Sequence, residues 1–159
     1  MAVYERSVTV RAPFEIVWDF HSTVDGLEAL TPDWLNLALE DVRGPDDTPD
    51  PPEMVPGSTA VVSLRPFGIG PRQMTTTRIV ERDRSEDEGY FVDVMTGGPF
   101  SRFEHTHRFE AVAGGTRVTD RVEYDLVGGP CGRIVSPLAV VGIAPLFRYR
   151  HRRTKSLLE

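Results

Sequence analysis

The chain has 159 residues, 40% of them hydrophobic and 26% charged, with a formal net charge of −6. That length suits one domain, because a chain of this size buries about 68–70% of its unfolded surface and can enclose a cavity. The acidic balance argues against a general nucleic-acid binder, which needs clustered cations for the phosphate backbone. No 18-residue apolar run, disorder-grade composition, collagen or heptad repeat, or signal peptide is evident, so the chain reads as soluble and cytoplasmic. A single cysteine, Cys131, excludes an internal disulfide and any zinc site built on cysteine pairs.

Val3 to Val10 alternates like a strand and ends at Ala12-Pro13. Phe14, Val17, Trp18 and His21 then recur at helical spacing, which predicts a short amphipathic helix over Pro13 to Ser22. His21 reads as a cation complementing the end of that helix. A second short helix is expected over Asp25 to Leu30, stopped by Thr31-Pro32. Leu35, Leu37 and Leu39 alternate with polar or small residues, the pattern of a half-buried strand.

Gly44 to Gly57 holds five prolines and no apolar periodicity, so it is expected as a surface excursion with a mobile, dispensable tip over Asp46 to Glu53. Five strands follow: Thr59 to Leu64, Gln73 to Arg82, Gly89 to Met95, Phe103 to Val112 and Thr116 to Val127. Short turn clusters join them into an antiparallel meander. Ile134 to Leu158 lacks turn dipeptides and predicts a long helix, kinked by Pro145 and ending in a basic stretch that includes His151. Ser136-Pro137 suits an N-cap with proline at the first helical position, and a helix starting near Gly132 and kinked at Pro137 is equally open. Its apolar part, Ile134 to Phe147, is too short to span a bilayer. Leu138 and Val141 are expected to pack against the sheet. Leu158-Glu159 are set aside as having the look of a cloning remnant, leaving residues 1–157 as one domain.

Period-2 alternation sorts side chains between faces. Phe103, His105, His107 and Phe109 share one face, while Glu104, Thr106, Arg108 and Glu110 face water. On the next strand Val118, Asp120, Val122, Tyr124 and Leu126 point inward, and Asp120 is the one acid among them. In the preceding strand Phe91, Asp93 and Met95 share a face, and we place Asp93 inward. A buried carboxylate is costly unless paired, and two imidazoles on the adjacent strand are natural partners.

Three readings of His105, His107, Asp120 and Asp93 remain open. They line an apolar pocket and orient a ligand; they form a structural network that fixes strand register; or they chelate zinc or iron. No catalytic motif decides between them: there is no Gly-x-Ser-x-Gly, phosphate loop, His-Glu-x-x-His or Cys-x-x-Cys. No cofactor or resident metal is called for.

The order of elements, with Gly98-Pro99-Phe100, Phe103-x-His105-x-His107-x-Phe109, Gly115-Thr116, Asp120-x-Val122-x-Tyr124 and Phe147-x-Tyr149-Arg150, resembles the SRPBCC superfamily. Within that START-like, helix-grip group the chain looks most like the prokaryotic polyketide cyclase/dehydrase-type branch. The resemblance spans essentially the whole chain. It implies an α+β fold in which a seven-stranded antiparallel sheet wraps a long C-terminal helix around an apolar cavity. One departure is Phe103-Glu104, where relatives favour tryptophan.

The resulting expectation is a binding protein for a hydrophobic or aromatic small molecule, lipid-, polyketide- or isoprenoid-like. Its cavity is expected to be lined by Phe91, Asp93, Phe103, His105, His107, Phe109, Val118, Asp120, Val122, Tyr124, Leu138 and Val141. The rival is a cyclase, dehydratase or aromatase that moves protons with His105, His107 and Asp120. A third is a membrane-associated interaction domain using the basic tail. The protein is expected as a monomer or homodimer.

Overall fold

The computed structural model describes residues 1–159. Strand β1 (Ala2–Val10) leads into helices α1 (Phe14–His21) and α2 (Val24–Ala29), followed by a 3-10 turn at Asp33–Leu35. Strands β2 (Ala38–Arg43), β3 (Thr59–Leu64), β4 (Gln73–Arg84), β5 (Glu88–Gly97), β6 (Phe100–Val112) and β7 (Gly115–Leu126) come next. The chain closes with α3 (Gly129–Val135), a 3-10 turn at Ser136–Ala139, and α4 (Val140–Leu158). All seven strands form one sheet in the order β1-β7-β6-β5-β4-β3-β2, each neighbour antiparallel.

Local chemistry accounts for the helical start. Pro13 precedes α1 with a backbone already extended, and Glu15 in the first turn complements the positive end of the helix. Phe14, Val17 and Trp18 are spaced to bury one stripe. Trp18 packs edge-on to Phe91 and Phe109, with ring centroids 6.1 and 5.6 Å apart. These residues, with Val10, Ala12, Ile79 and Val118, form the larger core cluster at one end of the sheet. A smaller cluster of Ala2, Val122, Tyr124, Ile143 and Phe147 joins α4 to the other end.

Several sequence expectations are corrected. The leucine alternation at residues 35–39 does not make a strand throughout: Leu35 closes the 3-10 turn, Asn36 adopts a left-handed conformation (φ 49°), and pairing starts at Ala38. The last helix begins earlier than expected, at Gly129, and of the two readings left open the one broken at Pro137 is found, because proline supplies no amide for the helical ladder. Leu138 and Val141 are 70% and 78% exposed, not packed on the sheet. The side of α4 that meets the core is set by Ile143, Phe147, His151 and Thr154, a register the all-round apolar sequence could not reveal. The expectation that no apolar run long enough for a membrane exists also fails, because the joined helical stretch Gly129–Leu158 is long and apolar enough by composition. Pro130, Pro137 and Pro145 lie within it, and its second half threads into the core. Leu158 packs against the larger cluster and the Glu159 carboxylate accepts a hydrogen bond from the Arg11 amide at 3.1 Å, so both contribute to this fold.

Candidate functional site

Three neighbouring strands bring four ionisable groups together on the concave face, and α4 adds a fifth. In register, Asp93 of β5 lies opposite His105 of β6, and His107 lies opposite Asp120 of β7. The strong hydrogen bonds instead run diagonally, between positions that adjacent strands still hold within reach. His105 Nε2 donates to Asp120 Oδ1 at 2.6 Å, and His107 Nε2 donates to Asp93 Oδ2 at 2.6 Å. From α4, His151 Nε2 donates to Asp120 Oδ2, also at 2.6 Å. The directly opposed pairs are longer, 3.9 Å for His105 Nδ1 to Asp93 Oδ2 and 3.4 Å for His107 Nδ1 to Asp120 Oδ1. All five side chains are buried.

Electrostatics follow from this enclosure. Burial pushes the His107 imidazole down to about 4, helped by the adjacent His105, so it is neutral at pH 7. Burial alone would raise Asp93, but the His107 hydrogen bond and the surrounding positive charge hold it below the usual carboxylate range. Asp120 is held well below that range against the same burial, chiefly by the hydrogen bonds from His105 and His151. Both carboxylates are therefore ionised, each fixed by imidazole donors.

His21 corrects another expectation. Its Nδ1 donates to the Val17 carbonyl at 2.7 Å, and burial pushes it down to about 3. It is a neutral ring, not a helix-end cation, and it stacks obliquely on Phe109 at 4.8 Å between centroids.

A cavity of about 190 Å³ opens between the sheet, α2 and α4. Leu27, Leu30, Leu37, Val62, Met95, Leu146 and Phe147 line it, with Phe103, and its polar wall is Thr75, Thr77, Asp93, His105, His107 and Arg150. An adjoining lobe of about 70 Å³ shares Leu27, Leu30, Thr77, Asp93, His107 and Arg150, and adds His21, Met54, Ile79 and Phe91.

Of the lining expected from sequence, the structure puts Phe91, Asp93, Phe103, His105 and His107 on this cavity. Phe109, Val118, Val122 and Tyr124 face inward but are packed in the core clusters. Asp120 sits behind the histidines, not on the cavity wall, and Leu138 and Val141 are on the outer surface. Sequence reasoning missed His151, assigned to the basic tail, and Arg150, Thr75 and the α2 leucines. A helical step of four from Phe147 was the one available signal for His151.

Chemically, the site can hold a small apolar molecule against a polar wall, and a neutral imidazole oriented by Asp93 can take up or pass a proton. Asp93, His105 and His107 also present ligand atoms within 4.8 Å of one another, a donor set suited to zinc or iron. The Nε2 hydrogens of both histidines are committed to carboxylates, so a cation there would be taken by the Nδ1 lone pairs or would displace one of those protons.

A twisted antiparallel sheet closed by a C-terminal helix, with a cavity between them, defines the helix-grip class of α+β proteins. The chain belongs to the polyketide cyclase / dehydrase and lipid transport family, whose model matches residues 1–159. Protein CV1439 from Chromobacterium violaceum is similar at 12% identity, covering 100% of this chain and 99% of that one, with a TM-score of 0.70. Ara h 8.0201 is 17% identical, covering 98% of each chain, with a TM-score of 0.63. A Thalictrum flavum norcoclaurine synthase point mutant in complex with a transition-state analogue is 18% identical, covering 99% of this chain and 93% of that one, with a TM-score of 0.63. At these identities the likeness is one of fold. No curated protein matches the sequence.

Proposed function

We propose that this protein binds an apolar or aromatic small molecule, of lipid, polyketide or isoprenoid type, between its sheet and α4. The observation that carries this reading is the cavity of about 190 Å³ with hydrophobic walls and a localised polar side, the usual composition of a small-molecule site. The family and its description support it in general terms. Fluorescence of N-phenyl-1-naphthylamine, a neutral apolar dye, tests it directly: the expected result is saturable enhancement that Leu30→Trp, which fills the cavity, abolishes. Absence of saturable enhancement in the folded wild type overturns the reading.

A second reading, an enzyme of cyclase or dehydratase type, is favoured by His107. It borders the cavity as a neutral imidazole whose Nε2 is fixed by Asp93. In that role His107 is the proton carrier and Asp93 its orienting partner, while Asp120 acts only from behind. Turnover of a candidate substrate that disappears in a folded His107→Gln variant supports it; turnover that survives excludes His107.

A third reading, membrane contact, rests on the exposed apolar residues Ile134, Leu138 and Val141 near Arg133 and Arg148. Salt-sensitive co-sedimentation with anionic liposomes supports it, and unchanged sedimentation in Leu138→Glu counts against it.

A further inference from the structure

Buried polar atoms in folded proteins almost always find hydrogen-bond partners, so those that do not mark places where something else supplies one. Six buried side-chain atoms in this protein have no hydrogen-bond partner. Three of them, Thr75 Oγ1, His107 Nδ1 and Arg150 Nε, belong to residues that line the same cavity. Thr75 and His107 are 5% and 6% exposed, so neither can turn outward to water without unpacking the sheet. Arg150 borders both lobes, and no carboxylate lies within ion-pairing distance of it. The two acids nearby are already engaged, Asp93 by His107 and Asp120 by His105 and His151.

We propose that Arg150 and Thr75 form a subsite for an anionic oxygen group, so that the preferred ligand is an organic acid: an apolar body bearing a carboxylate. This rests on the apolar-ligand reading above and adds the charge of the ligand to it. The guanidinium is the one fixed cation on the cavity wall and offers planar donors suited to a carboxylate. The Thr75 hydroxyl supplies a neutral donor beside it. The apolar body lies along Leu27, Leu30 and Phe147, within a volume that admits one or two fused rings or a short chain.

The test pairs two probes with the same body: 2-naphthoate, and 2-naphthamide, its neutral counterpart, titrated calorimetrically into the full chain. Wild type is expected to bind 2-naphthoate about tenfold or more tightly than the amide, the range of a charge-assisted hydrogen bond. In Arg150→Gln the preference falls to near unity while the amide binds as before. Thr75→Val, which keeps the side-chain shape, is expected to weaken 2-naphthoate selectively and serves if Arg150→Gln fails to fold. Equal binding of both probes by wild type, or a preference that persists in the folded variants, overturns the anionic subsite and leaves apolar binding standing. Failure of both probes to bind removes the apolar-ligand reading and this proposal with it.

Discussion

His151 of α4 and Asp120 of β7 meet through a 2.6 Å hydrogen bond inside the protein, and this polar contact ties the gripping helix to the sheet beneath it. The other oxygen of the same carboxylate accepts a hydrogen bond from His105 Nε2 at 2.6 Å, so one acid joins two strands and a helix. Asp120→Asn retains the shape but supplies only one acceptor oxygen for two imidazole donors. It is expected to cost about 3–5 kcal/mol, as when one member of a buried charged network is removed. Chemical denaturation measures the loss. In the folded variant the His107 ring titrates still lower, because the negative charge that raises it is gone, and nuclear magnetic resonance reads that shift.

Truncations along α4 and the 3-10 turn before it should separate the buried side from the exposed one. Phe147→Ala empties a buried position and is expected to cost about 3–5 kcal/mol. Leu138→Ala and Val141→Ala remove exposed methyl groups and should stay within about 0.5 kcal/mol. A large loss at Leu138 would show that its surface is covered in solution.

Acid should weaken the fold. His21 and His107 are held at about 3 and about 4, against 6.5 when unfolded. Below 6.5 the unfolded chain takes up protons that the folded chain refuses, so stability present above that value is lost as pH falls toward 4. The depressed carboxylates of Asp93 and Asp120 add a further loss below 3.8. Thermal melts should therefore show Tm falling steadily from about pH 7 to about pH 4. A flat Tm across that window contradicts the neutral burial of both rings.

The tip of the excursion between β2 and β3 is expected to be dispensable. Residues 46–53 are mostly exposed, and their main outward tie is Glu53 to Arg82 at 2.6 Å. Replacing them with a short Gly/Ser linker is expected to cost about 1 kcal/mol, the upper range for an exposed ion pair. Met54, just beyond, packs on the core and lines the smaller lobe, so Met54→Ala should instead alter probe binding.

The two-residue period of β5, β6 and β7 made the inward acids and histidines readable, because alternation fixes the face of every side chain. The partners within that face were less readable, since the diagonal bonds depend on strand twist and rotamer. For α3 and α4 the difficulty was greater. Apolar residues occur all round the segment, so no stripe distinguishes Leu138 from Phe147, and the interruption at Pro137 resets the helical phase. His151 lay in a run of arginines whose charge hid its buried position. Arg150 is legible only once the cavity is known, because nothing local separates it from its exposed neighbours.

The pairing of β1 with β7 sets a condition on how the chain acquires its shape. Ser7 and Thr119 face each other with hydroxyls 2.8 Å apart although 112 residues separate them. A nascent chain emerging from the ribosome must hold its first strand unpaired until the last one appears, while β2 to β6 assemble through short turns. The alternating charges of Glu5 and Arg6, together with Thr9 and Arg11, keep that waiting segment soluble in the interval. Closing so long a loop late makes folding slow relative to a helical protein of equal length, and ties the first strand's placement to the completion of the seventh.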